Sequence, residues 1–212
     1  MAKRFSKCPS WWLRDKACLL GLLGGGSAGP SIAALKCVMA ISTKIDFHTL
    51  KVKLSFSDLE TLTGLSRPMV SRGLALIEAM NIARIDRTGY VNEYELIVDE
   101  KDKGWAKLPT ERVNKQLPSL LNRGVVPLAA LKIYLVLLAL RNNDSNEVAI
   151  KHVNLREYTG IQKNQIRPAL DILFSHGLIR ITQSEYVDEK KPTSPIRAHN
   201  IYILLGLDSA SA

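Results

Sequence analysis

Leu59-Glu60-Thr61-Leu62-Thr63-Gly64-Leu65-Ser66-Arg67-Pro68-Met69-Val70-Ser71-Arg72-Gly73-Leu74 decides the fold, because its pattern returns 96 residues later. The second occurrence reads Leu155-Arg156-Glu157-Tyr158-Thr159-Gly160-Ile161-Gln162-Lys163-Asn164-Gln165-Ile166-Arg167-Pro168-Ala169-Leu170. Both runs reach a Thr-Gly pair and resume after it with polar and basic residues. Glycine enters the left-handed backbone region without a Cβ penalty, so Gly64 and Gly160 read as the end of one helix and the turn into the next. Val70, Leu74 and Ile77, matched by Ile166, Leu170 and Leu173, recur at helical spacing and define an inward face.

The same shift works outward from that turn. Ala33-Ala34-Leu35-Lys36 falls on Ala129-Ala130-Leu131-Lys132, and Ile82, Arg84 and Ile85 fall on Leu178, Arg180 and Ile181. The offset holds without a gap from position 33 to 85, so the chain carries two copies of one small fold. Each copy opens with a helix, over 31–42 and 128–141. An extended stretch follows, Val52-Lys53-Leu54 and Val148-Ala149-Ile150. A second helix covers 57–63, where Ser57 and Glu60 form a capping-box pattern, and 154–159. A third covers 67–80, capped by Ser66, and 163–176. Alternating residues at 82–86 and 90–97 around Arg87-Thr88-Gly89 predict a β-hairpin. In the second copy, 179–181 and 200–204 flank a long polar loop.

Helix, strand, helix, Gly turn, helix, hairpin is the order of a winged helix-turn-helix. The expected fold class is mainly α with small β wings (α+β), in two tandem winged helix-turn-helix domains at 31–98 and 125–207. A polar linker is expected at 99–124, with Trp105 and Leu108 tacking it onto one domain. An N-terminal extension is expected at 1–30 and a tail at 208–212.

Composition narrows the function. Apolar residues make up 46 % of the 212, which excludes global disorder. Lys and Arg number 29 against 20 Asp and Glu, a net charge of +9, which favours a polyanionic partner. Cys8, Cys18 and Cys37 are odd in number and stand in no CxxC pair, which fits a reducing cytoplasm rather than a disulfide framework or zinc site. Lys3, Arg4 and Lys7 ahead of the apolar patch 17–23 imitate a secretory leader. Arg14, Asp15 and Lys16 interrupt that pattern, so the segment reads as a short helix plus flexible linker, with Trp11 and Trp12 packing on the body or a partner. The apolar run 125–140 is too short to span a bilayer and contains Lys132. The expected localisation is cytoplasmic, with no membrane partner.

A helix-turn-helix lays its second helix in the major groove of DNA, where base edges carry a full donor and acceptor code. Ser66, Arg67, Ser71 and Arg72 lie off the apolar stripe at the start of the first such helix, with the arginines suited to guanine and the serines to phosphate. In the second copy Gln162, Lys163, Asn164, Gln165 and Arg167 point outward. Asn164 and Gln165 match adenine, while Lys163 and Arg167 match phosphate or guanine. Arg87 at the first wing tip and Lys190, Lys191 and Arg197 in the second would touch phosphates or the minor groove. Catalytic signatures are not evident: Gly24-Gly25-Gly26 lacks the Lys-Ser or Lys-Thr of a phosphate loop, and the four histidines stand singly. Tyr90, Tyr94 and Tyr158 would be the nucleophiles of a nicking enzyme, but no His cluster accompanies them. The expectation is a non-enzymatic binder of double-stranded DNA without a cofactor or metal.

The segments Trp105-Ala106-Lys107-Leu108-Pro109, Leu131-Lys132-Ile133-Tyr134, Thr159-Gly160-Ile161 and Ala169-Leu170-Asp171-Ile172-Leu173 leading to Gly177-Leu178-Ile179 resemble winged-helix proteins of plasmids and phages. These are tandem winged-helix replication initiators, replisome organisers and accessory proteins of conjugative transfer. The resemblance covers about residues 31–205. It implies binding at repeated DNA sites of a replication or transfer origin, with replication or relaxosome proteins as further partners. The alternatives are a transcriptional repressor and, from another class, a protein-interaction scaffold whose basic faces are merely solvated.

Overall fold

The computed structural model describes residues 5–102, 104–186 and 197–207. Helices dominate, with three small antiparallel sheets, so the chain is α+β as expected. Helix α3 (Ala28–Lys44) is followed by β2 (Lys51–Leu54), α4 (Phe56–Thr63), α5 (Arg67–Ala79), β3 (Ala83–Asp86) and β4 (Asn92–Leu96). The same order returns in α7 (Val125–Leu140), β6 (Glu147–Ala149), α8 (His152–Thr159), α9 (Lys163–Ser175), β7 (Ile179–Tyr186) and β8 (Arg197–Leu204). The two three-stranded sheets share one topology, β2-β4-β3 and β6-β8-β7.

Helices α3 and α7 are apolar on every side. Residues 31–43 of the first and 127–139 of the second are all buried, so the two helices pack together at the centre of a single continuous core. Each buried stretch carries one lysine, at the corresponding position. Lys36 Nζ donates to Thr63 O at 2.9 Å, Leu120 O at 2.6 Å and Asn122 Oδ1 at 2.6 Å. Lys132 Nζ donates to Thr159 O at 2.8 Å. Both lysines thereby satisfy a carbonyl that helix α4 or α8 leaves open at its C-terminus. Gly64 and Gly160 end those helices with φ of 67° each. The capping box of α4 uses Ser55 and Asp58 rather than Ser57 and Glu60. Asp58 N donates to Ser55 Oγ, and Ser55 N donates back to Asp58 Oδ2, because the cap lies two residues ahead of the one the spacing suggests. Ser66 occupies the cap position of α5, but its side chain makes no capping bond.

The segments expected to be extension and linker carry structure. Strand β1 (Phe5–Pro9) leads into short helices α1 (Trp11–Arg14) and α2 (Lys16–Gly21). Strand β5 (Trp105–Pro109) leads into α6 (Thr110–Gln116) and a 3-10 turn, Leu117–Ser119. These two arms are a further repeat, since Lys7-Cys8-Pro9-Ser10 matches Lys107-Leu108-Pro109-Thr110. Their strands pair antiparallel, Phe5 with Pro109, Lys7 with Lys107 and Pro9 with Trp105. Exchanging the two copies maps this ladder onto itself, the signature of a two-fold axis between Lys7 and Lys107. Each arm crosses to the other half. Helices α1 and α2 pack on α7 and α8, while α6 and the 117–119 turn pack on α3 and α4. Trp12, Leu13, Leu19 and Leu22 are buried on one side, Val113, Leu117 and Leu120 on the other. The reason is apolar burial: an isolated unit would expose one flank of its central helix, and the partner's arm covers it.

The turns differ in how tightly they are covered. A Cβ on Gly64 would run into the Pro118 backbone, whereas one on Gly160 would meet only the Leu20 side chain, itself half-exposed and free to move. Gly160→Ala is therefore expected to cost about 1–2 kcal/mol from left-handed backbone strain alone. Gly64→Ala is expected to cost clearly more, and denaturant unfolding of the two variants checks the order.

Candidate nucleic-acid interface

Helices α5 and α9 each bury one stripe and expose the residues at their starts. Val70, Leu74 and Ile77 point into the core, as do Ile166, Leu170 and Leu173. Ser66, Arg67, Ser71 and Arg72 are exposed on α5, and Gln162, Lys163, Asn164 and Arg167 are exposed at α9. At the start of α9 the Lys163 and Asn164 N–H groups precede the first intrahelical bond and give that end positive character that complements anions, whereas α5 has Pro68 there and its Met69 N–H is bonded to Ser66 O at 2.8 Å. Arg67 is held over the Phe56 ring at 4.9 Å, which orients the guanidinium beside the helix start.

Around α9 the side chains form a groove of about 740 Å³, lined by His152, Gln162, Lys163, Asn164, Ile166, Arg167 and Pro168. Its lining contains two permanent cations and no carboxylate. His152, which sequence reasoning left among the scattered histidines, lies within it. Its Nε2 is 3.1 Å from Tyr202 Oη and 3.3 Å from Asn200 Nδ2. Both partners come from β8, some fifty positions along the chain, so local sequence carries no signal for this histidine. Burial, and then the nearby Arg167 charge, lower its pKa below the usual histidine value.

Two expected contacts have other employment, and three lie outside the described residues. Gln165 is half-buried, and its Oε1 accepts from Gln162 N at 3.0 Å, so it caps α9 rather than facing outward. Arg87 does not project freely from the first hairpin. Its two terminal guanidinium nitrogens, Nη1 and Nη2, donate to Glu78 at 3.0 and 2.7 Å, an arrangement that also holds the Glu78 carboxyl below its ordinary range. Lys190, Lys191 and the Arg197 side chain lie outside the described residues.

The chain matches no protein-family model and no curated protein.

Among the described residues, no helix is long and apolar enough to cross a membrane, and no group of three or more His, Cys, Asp or Glu side chains is placed to hold a metal. The tyrosines weighed as nucleophiles are scattered. Tyr94 is fully buried, Tyr158 lies under Lys16 with its ring 5.2 Å from Nζ, and Tyr90 is fully exposed. Burial pushes the Cys8 and Cys37 thiols up to about 12, which removes both as nucleophiles near neutral pH.

The groove geometry has a titration consequence. A histidine whose native pKa is lowered gives stability that is present above the unfolded value of about 6.5 and declines as pH falls through it. The His152 ring is therefore expected to titrate below 6.5 by NMR. Arg167→Ala, which removes one of the two causes, is expected to move that value partway back up.

Proposed function

We propose that each unit is a winged helix-turn-helix, with α5 and α9 as the groove-entering helices, and that the protein binds double-stranded DNA in a sequence-specific manner without catalysing a reaction on it. The observation that carries this reading is the pair of helix starts. In both units the buried stripe faces the core, and Arg, Lys, Ser and Asn side chains stand exposed at the end where such helices meet base edges. The net charge of +9 supports it through phosphate neutralisation. The two helices bear different residues, so two different half-sites follow: Arg67 and Arg72 suit guanine, and Asn164 suits adenine.

The two-fold relation of the β1–β5 ladder supports an inverted arrangement of those half-sites, because the symmetry of a protein is mirrored in the site it reads. With the resemblance to plasmid and phage proteins, we place such sites at an origin of replication or transfer, in the cytoplasm, where the bound protein recruits further proteins.

The experiment is selection of genomic fragments with purified protein at about 150 mM salt, followed by footprinting, for wild type and for Arg67→Ala with Arg167→Ala. The expected outcome is a short protected site with two unlike, inverted half-sites. The double variant is expected to weaken binding by about 2–6 kcal/mol, from about 1–3 kcal/mol per bidentate contact. Equally weak, sequence-blind binding by both proteins, lost at that salt, would instead identify a protein-interaction scaffold.

A further inference from the structure

The two buried lysines are not equally provided for. Around Lys36, three oxygens surround the ammonium, two of them supplied by the second arm through Leu120 O and Asn122 Oδ1. Around Lys132, Thr159 O is the acceptor that the described residues supply, although only 4 % of the residue is exposed. The cause is a length difference between the arms. Ser10 precedes Ala33 by 23 residues, whereas Thr110 precedes Ala129 by 19, and the longer first arm carries Gly24-Gly25-Gly26 where it nears Lys132. Where the second arm turns back with Asn122 beside Lys36, the first runs past Lys132 with glycines that have no side chain to offer.

What stands there is a cavity of about 220 Å³, several times the ~30 Å³ share of a water molecule in the liquid. Gly24 and Gly25 line it on one side, Gly160, Gln162 and Gln165 on another, and Lys132 is the charged residue in its wall. Its lining includes no Asp or Glu. Gln162, the cap residue of α9, and Gln165 in its first turn border the same space.

We propose that this cavity is a binding site for a compact oxyanion of the phosphate class, seated on the Lys132 ammonium between the glycine segment and the first turn of α9. The anion would take the place that Leu120 O and Asn122 Oδ1 hold at Lys36. A buried ammonium with one acceptor is costly, and an anionic oxygen compensates it more strongly than water does. Because Gln162 and Gln165 belong to the turn that carries Lys163 and Asn164, occupancy of this site would set the charge and order of that helix start. The oxyanion is either free in solution or part of a nucleic-acid backbone.

The test titrates the full chain with inorganic phosphate and no DNA, so its outcome is independent of the DNA-binding reading. The Lys132 side-chain resonances and the backbone amides of 160–165 are followed by NMR, with Lys36 as the internal reference. The expected result is a saturable shift at Lys132 and 160–165, with Lys36 unmoved. Gln165→Glu keeps the acceptor for Gln162 N but puts a carboxylate in the wall, and is expected to weaken phosphate binding at least tenfold. Lys132→Met is expected to abolish it, and Gln165→Glu keeps the question open to decision if the Met variant folds poorly. Repeating the titration on chain saturated with duplex separates the sources: a retained response assigns the seat to a free anion, and a lost one to a backbone phosphate. Linear shifts that never saturate, equal movement of both lysines, or unchanged binding by Gln165→Glu would overturn the proposal.

Discussion

An ammonium group with no exposed surface sits halfway along α3, and three separate parts of the chain meet on it. Thr63 closes α4, Leu120 and Asn122 belong to the second arm, and Lys36 holds them together in one place. Leaving such a charge without acceptors in the interior costs several kcal/mol, so the arrangement is all or nothing. The position of the Gly64 turn and the path of residues 117–122 follow from meeting this requirement. Asn122 adds a second tie, its Nδ2 donating to Gly64 O at 2.6 Å. Burial lowers the Lys36 pKa to about 8, which leaves the group mostly charged at neutral pH and the acceptors in demand. The repeat places Lys132 in the same role in the second unit, with a thinner set of partners.

Around these ties the core is continuous. Because α3 and α7 are apolar on all sides, neither unit has a finished surface of its own. The arms finish it, each from the other half. Lys7 and Lys107, directly opposite in the β1–β5 ladder, would repel each other. The aromatic rings beside them relieve this: Lys7 Nζ lies 3.5 Å from the Phe47 ring centroid, and Lys107 Nζ lies 5.0 Å from that of Phe5. The two-fold axis therefore passes through a pair of like charges made tolerable by cation–π contacts.

Much of this architecture was legible in the residues. Periodicity located both central helices, the Thr-Gly pairs located both turns, and the alternation around Gly89 located the first hairpin. The arms were not legible as structure, and the reason is specific. Their repeat runs at an offset of 100 rather than 96, so an ungapped shift loses it, and glycine and charge near 24–26 and 99–104 read as linker. For the candidate interface, helix periodicity alone separated the exposed from the buried side of α5 and α9. It failed where a side chain finds a partner that spacing cannot foresee. Gln165 turns back onto Gln162 N, Arg87 reaches back from the hairpin to Glu78 near the end of α5, and His152 is placed by β8.

The crossing of the arms also bears on how the chain comes to be folded. During synthesis, β1 emerges on the order of 100 residues before its partner β5, and Trp12, Leu13 and Leu19 wait longer still for α7 and α8. At ordinary elongation rates that interval is roughly 5–20 s, during which an unpaired strand edge and an apolar helix stand open. Any neighbouring chain offers the same β5 and the same α7. An arm that docks on that neighbour makes every contact it would have made at home, so nascent chains crowded on one message are exposed to exchanging arms.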